Sequence, residues 1–182
     1  DQYNTLSEDQ CIDLARGIKE DSEWLIQMIE NLLSITRIDN TGVKIQKSPI
    51  VLEELIDSVI IKYRKKYSAY PLEVTIPDEF VIIPMDAVLI QQVLFNILEN
   101  AIIHAKGMTK LKLNVSIDDD NAVFEVIDNG CGIENDRLAS IFTGYFEKKD
   151  IHVDAQKHNM GIGLSACASI IKAHDGTIHA EN

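Results

Sequence analysis

The stretch Gln91–His104, QQVLFNILENAIIH, decides how this chain folds. Val93, Leu94, Ile97, Leu98 and Ala101 or Ile102 recur at helical spacing and define a face that must be buried. Asn96 and Asn100 stand four apart and so share another stripe of the same helix, with Glu99 and His104 projecting nearby. Asp86 is placed to cap the helix start. Two amides on one stripe can offer carbonyl oxygens to a hard cation, with Mg²⁺ keeping water and phosphate oxygens as its other ligands. Taken singly, each Asn reads equally well as a polar surface or capping residue.

Downstream, Lys110–Ile117 and Ala122–Ile127 alternate strictly and are joined by Asp118–Asn121, a β-hairpin. The second strand runs into a Gly-rich turn, Asp128-Asn-Gly-Cys-Gly-Ile133, where Gly130 and Gly132 allow a sharp turn or close approach of a ligand. A short helix is expected to about Phe142, then a lid-like stretch to Asn159. A second Gly-rich turn, Asn159-Met-Gly-Ile-Gly-Leu164, opens a helix over 161–174. Amides at a helix start, uncovered where the residue is Gly, suit an anion, and phosphate is the natural guest. Thr177–Ala180 is expected to begin a strand. Upstream, Leu72–Ile76 and Phe80–Ile83 read as short strands around the Pro77-Asp78 turn, and Val51–Tyr67 as an amphipathic helix whose Lys62, Arg64, Lys65 and Lys66 form a solvated face.

The N-terminal segment has a different character. Ser7 with Gln10 forms a capping-box start, and a seam in sevens follows through Leu14, Ile18, Asp21, Leu25, Met28, Leu32 and Ile35. The helix should stop near Asp39, where Asn40 and Gly42 follow. About 30 residues of helix span roughly 45 Å, a length that suits projection and pairing with a second copy, or else flanking a core. The expected division is 1–40 as this helix, 41–47 as linker and 48–182 as an α+β domain.

Composition narrows the function classes. The chain carries 17 Lys plus Arg against 29 Asp plus Glu, a net charge of −12, which argues against nucleic acid as a partner. No apolar run approaches the roughly 18 residues of a membrane span, and no secretory leader opens the sequence. Cys11, Cys131 and Cys167 lie far apart, which suits reduced thiols in a cytoplasmic setting better than a disulfide framework or a metal cage.

The ordered set of Asn-bearing helix, DNGCG turn, Ile141-Phe142 with Tyr145-Phe146, and NMGIGLS turn resembles the N, G1, F and G2 boxes of sensor histidine kinases. These belong to an ATP-binding superfamily shared with type II topoisomerases, mismatch-repair ATPases and the ninety-kilodalton heat-shock chaperone. Segments such as EWLIQMIENLLSITRI and MDAVLIQQVLFNILENAIIHA are similar to Kdp-type potassium-responsive kinases. The resemblance implies a two-layer α/β sandwich, a mixed sheet packed on helices, preceded by a long dimerisation helix. It implies ATP and Mg²⁺ as cofactors, a homodimer through the N-terminal helix, and a response regulator as partner. This region would be cytoplasmic and free of membrane contact, with the intact protein anchored in the membrane or not.

Residue by residue, the resemblance gives Asp128 the adenine amino group, and Gly130, Gly132 and Ile133 the wall beside the base. Asn100 would hold Mg²⁺, with Asn96 in support. Gly161, Gly163 and Leu164 would meet the phosphates, and Phe142 to Met160 would close over them as a lid. His104 would stand in part for the phosphate-contacting Lys of the N box, whose place Ile103 takes, or would be a partly exposed helix-end residue. Glu99 would lie near the metal or take a salt bridge. Asn159 departs from the usual Gly. No catalytic side chain is assigned, because the phosphate-accepting His would sit on a helix before residue 1, and a last strand is expected beyond residue 182. Hydrolytic superfamily members carry a Glu base at the place of Asn96, and an amide accepts no proton at neutral pH. The reading is therefore phosphoryl transfer to a histidine elsewhere, with a non-catalytic nucleotide-binding or dimerisation scaffold as the alternative and a serine kinase or ATPase behind it.

Overall fold

The computed structural model describes residues 7–40, 45–119, 121–138, 140–143 and 162–182, with 35–40 and 162 described as helix only. Helix α1, Glu8–Asn40, opens on the expected reciprocal cap. The Gln10 amide donates to Ser7 Oγ at 3.2 Å and the Ser7 amide to Gln10 Oε1 at 2.9 Å. The helix extends for 33 residues, about 50 Å. Leu14, Ile18, Leu25 and Leu32 of its apolar seam are exposed.

The rest of the chain builds β1 (Ser48–Val51), α2 (Leu52–Lys66), β2 (Leu72–Thr75), β3 (Ile82–Met85), α3 (Ala87–His104), β4 (Leu111–Asp118), β5 (Asn121–Asp128), α4 (Asn135–Leu138) and α5 (Ile162–Ala173). One sheet has the order β2-β4-β5, with β2 parallel to β4 and β4 antiparallel to β5. It is therefore mixed, as the resemblance implied. Alternation along β4 sends Leu111, Leu113 and Val115 inward against Leu55, Ile56 and Val59 of α2, Val93, Leu94 and Leu98 of α3, and Ile170 of α5. Sheet and helices thus make two layers around one core. The hairpin turn falls where expected, Asp118 pairing with Asn121 and Asp119 taking a positive φ.

Three local expectations need correction. β1 (Ser48–Val51) is a strand where Pro49 reads in the sequence as leading directly into the helix from Val51. It pairs antiparallel with β3, Pro49 opposite Pro84, and two prolines lacking N–H groups are tolerated because this two-stranded ribbon has only edges. That pairing also sets the register of β3, which begins at Ile82 and leaves Phe80 exposed, two residues later than the alternation suggested. Thr177–Ala180 forms no strand, since four alternating residues have no ladder of their own and none is hydrogen-bonded to them among the described residues.

The end of α5 locks onto the start of α3. The Asp86 amide donates to His174 Nε2 at 3.0 Å, so the ring proton sits on Nδ1, which donates to the Ile170 carbonyl at 2.8 Å. Lys47 Nζ reaches the His174 carbonyl at 3.1 Å and Asp175 Oδ2 at 2.6 Å, tying the segment before β1 to the same corner. By length and composition α3 could cross a membrane. Its Ile90, Val93, Leu94, Phe95, Leu98 and Ala101 are instead buried in the core.

Candidate functional site

Helix α3 carries the site because its start is fixed. Asp86 Oδ1 accepts the Val88 and Leu89 amides at 3.1 and 3.2 Å, and the apolar face pins the rotation of the helix. Asn100 sits at the partly buried edge. Its Nδ2 donates to the Asn96 carbonyl at 2.7 Å, so Oδ1 is the atom turned away from the helix backbone, the orientation a cation requires. Asn96 is fully buried. Its Nδ2 donates to Asn31 Oδ1 at 3.0 Å, and its Oδ1 accepts from Gln27 Nε2 at 3.2 Å, both partners lying on α1. Glu99 faces α2, where it accepts from Lys66 Nζ at 2.7 Å and from the Tyr67 hydroxyl. Of the two roles open to it, this is the salt bridge. Burial first, and then the Glu99 contact, pushes the Tyr67 hydroxyl pKa upward.

The turn after β5 abuts the other end of α3. Asp128 Oδ1 accepts the Gly130 amide at 2.8 Å, which holds the carboxylate at the strand end. At Gly130 a Cβ would lie 2.5 Å from Ala105 Cβ and 2.8 Å from the Ala105 main chain, so only Gly lets the turn close on the helix terminus. Gly132 has φ +70, a conformation that side chains disfavour. Cys131 Sγ lies 3.7 Å from the His104 carbonyl. His104 itself is exposed at the last turn of α3. The Ile133 main chain makes a reciprocal pair with Asn182, amide to Oδ1 and Nδ2 to carbonyl, each at 2.7 Å. Asn129 was not singled out in the sequence, yet it anchors the turn. Its Oδ1 accepts the Thr109 and Lys110 amides at 2.8 Å, and its Nδ2 donates to Thr109 Oγ1 at 2.8 Å.

Asn96 and His104 are separated by about 12 Å along α3. The Asp128–Ile133 turn lies at the His104 end. The start of α5 lies at the Asn96 end, where a Cβ on Gly163 would come 3.8 Å from Asn31 Nδ2. One helix edge therefore has the Gly130–Gly132 turn at one end and Gly163 near the other, a layout suited to an elongated ligand with an aromatic head and an anionic tail. Leu164 follows Gly163 in the first turns of α5, half-buried. Phe142 is half-buried in the turn after α4. Gly161 lies outside the described residues, as do Tyr145, Phe146, Asn159 and the rest of the lid-like stretch between them. Among the described residues no cluster of three or more His, Cys, Asp or Glu could hold a metal, so a cation here would depend on amide and ligand oxygens.

Cys167 backs the site from α5, its Sγ 3.8 Å from the Val93 carbonyl. Burial pushes its thiol up to about 12, a hydrogen bond from Asn96 opposing the shift. The stability tied to this group is fully present below the ordinary thiol value of 9.0. It is lost as pH rises from there toward about 12, as deprotonation becomes cheaper unfolded than folded. Cys11 and Cys131 are exposed. A chromogenic disulfide reagent at pH 8 should therefore consume two thiols quickly and the third only at the unfolding rate. Rapid reaction of all three would show that α5 is not packed as described.

The class of protein to which this fold belongs is given by the sequence comparison. The chain belongs to the histidine kinase-, DNA gyrase B- and HSP90-like ATPase family, whose model matches residues 85–182. It is 36% identical over 170 residues to the sensor protein KdpD of Clostridium acetobutylicum, covering 93% of this chain and 19% of that protein. It is 32% identical over 168 residues to the adaptive-response sensory kinase SasA of Synechocystis sp., covering 86% of this chain and 41% of that one. Among solved structures it resembles histidine kinase ThkA in complex with response regulator TrrA. There the TM-score is 0.68 at 22% identity, over 100% of this chain and 49% of that one. The chain spans less than half the length of each of these relatives.

Proposed function

We propose that this chain is the ATP-binding catalytic region of a sensor histidine kinase. In the intact protein it would present the γ-phosphoryl group of Mg-ATP to a histidine on another segment, for relay to a response regulator. The observation that carries this reading is the shared edge of α3, with a fixed carboxylate and a close-packed Gly turn at one end and an outward Asn100 carbonyl toward the other. The domain division follows: 1–40 as the dimerisation helix, 41–47 as linker, 48–182 as the ATP-binding domain. The exposed apolar seam of α1 supports pairing with a second copy. The relatives supply the kinase class and, through the ThkA–TrrA complex, the class of the downstream partner. A cytoplasmic location for this region fits the same reading.

The roles follow from side-chain chemistry. Asp128, held by the Gly130 amide, accepts a hydrogen bond from the adenine amino group. Gly130, Gly132 and Ile133 form the wall beside the base, and Phe142 stands at its rim. Gly161, Gly163 and Leu164 offer main-chain amides to the phosphates. Asn100 holds Mg²⁺ through Oδ1, Asn96 lies behind it, and His104 closes the helix end. Bound Mg²⁺ would supply charge neutralisation on the phosphates. An amide at position 96 accepts no proton, which favours transfer to an outside nucleophile over hydrolysis.

Calorimetric titration with a non-hydrolysable ATP analogue tests the reading. Binding in the micromolar to sub-millimolar range is expected with Mg²⁺, and absence of heat at millimolar analogue would overturn it in favour of a scaffold. Asn100→Ala should weaken binding about tenfold with Mg²⁺ present and leave it unchanged in excess chelator, since only the cation-borne contact is removed. An equal loss in both conditions would assign Asn100 a structural role instead.

A further inference from the structure

The chain that leaves α5 has no strand ladder to hold it among the described residues, and side chains fix it instead. Asp175 takes φ +65 and the Gly176 amide donates to the Ile171 carbonyl at 2.9 Å, which ends the helix and turns the chain back. Ile178 then packs against the core. Four residues further on, Asn182 meets the turn after β5. Its Oδ1 accepts the Ile133 amide and its Nδ2 donates to the Ile133 carbonyl, each at 2.7 Å. Turning the side-chain amide over would set donor against donor and acceptor against acceptor, so the pair has one arrangement. A Cβ on Gly132 would lie 2.9 Å from Asn182 Oδ1, so the glycine that gives the turn its φ of +70 also admits the amide.

The turn is thus fastened in two halves. Asp128 accepting the Gly130 amide, and Asn129 bonded to Thr109 and Lys110, secure the first half to the β4–β5 hairpin. Gly132 and Ile133 form the second half, and both main-chain groups of Ile133 are bonded to a residue 49 positions away. We infer that Asn182 is a positioning residue for the base: it holds the Gly132–Ile133 wall where a purine amino group reaches Asp128. This rests on the function proposed above. Asp128 Oδ1 already accepts the Gly130 amide, and a carboxylate has capacity for a further bond. One hydrogen bond selects a base only if the base cannot tilt, and two glycines within three residues would leave the wall free to let it. A two-point contact to the N–H and C=O of one residue removes that freedom. The pair is exposed to water, so it contributes little to folding stability and acts on placement. The segment that carries Asn182 descends from α5, whose end is locked to the start of α3 through His174 and Asp86. Base wall and phosphate end thereby share one frame.

Two nucleotides report the placement in the 182-residue chain: a non-hydrolysable ATP analogue and its hypoxanthine counterpart, in which a 6-oxo group replaces the amino group. The wild type should prefer the adenine form, because only that form donates to Asp128. Asn182→Ala removes both bonds to Ile133. Its affinity for the adenine nucleotide should fall about tenfold and for the hypoxanthine nucleotide less than about threefold, so the preference collapses. Asn182→Asp keeps an acceptor for the Ile133 amide and loses the donor to its carbonyl, and its preference should fall between the two. Thermal midpoints of both variants should stay within about 2 °C of the wild type, since the lost bonds are exposed. An unchanged preference in Asn182→Ala overturns the role while leaving the nucleotide site standing. An equal fall for both nucleotides overturns it too, by making Asn182 a general structural tie. A wild type that binds both forms equally removes Asp128 from the base, and the positioning with it. A wild type that binds neither overturns the nucleotide reading and the role together.

Discussion

Leu98→Ala is expected to cost about 3–5 kcal/mol of folding stability, the upper range for deleting a buried leucine side chain. Leu98 is 0% exposed and lies at the centre of α3 between Asn96 and Asn100, packed where α2, β4 and α5 meet. The surrounding elements are held by strand ladders and by the His174 lock, so the cavity cannot close by a small shift. For a domain of this size the midpoint of thermal unfolding should fall by about 10 °C. Urea unfolding of the two proteins gives the number directly. A loss below about 1 kcal/mol would mean that α3 is not the centre of the core. Because the same helix carries the site, nucleotide binding should weaken through misplacement of Asn100 as well.

Gly130→Ala should cost about 2–3 kcal/mol and abolish detectable nucleotide binding. Adding a methyl group to glycine ordinarily stabilises slightly by restricting the unfolded chain. Here the sign is reversed, because the new Cβ would meet the Ala105 main chain at 2.8 Å and backbone cannot swing aside. Nor can the turn retreat, since Asn129 fastens it to Thr109 and Lys110. At Gly17 on α1, by contrast, nothing lies within 4 Å of such a Cβ. Calorimetric titration and thermal unfolding of the Gly130 variant test both parts. A variant that melts with the wild type and binds normally would remove Gly130 from the site.

Much of the domain was legible because its signals are local. The Ser7 capping box, the Asp86 cap, the Asp118–Asn121 hairpin turn and the 3.6-residue stripe of α3 each specify structure within a few residues, and each stands where it was expected. What escaped depends on distant partners. β1 is four residues with a proline at its second position, and only β3, more than thirty residues on, makes it a strand. The burial of Asn96 depends on α1, more than sixty residues away. Its spacing from Asn100 identified the stripe, but nothing on α3 alone announces that an amide from another helix will cover it. Asn129 was visible in the motif, and its task of stapling the turn became apparent only from the position of Thr109.

The parallel pairing of β2 with β4 has a kinetic corollary. The β4–β5 hairpin can close within microseconds, whereas Leu72 meets Leu111 only after the chain has laid down β3 and the whole of α3 between them. Helix α3 is thus the crossover of a non-local unit, and its Asn edge acquires its neighbours at the last and slowest closure. A ligand on that edge cannot speed the rate-limiting search, because its binding surface does not exist until the search is over. Its effect should fall on the unfolding limb, as a longer lifetime of the folded domain.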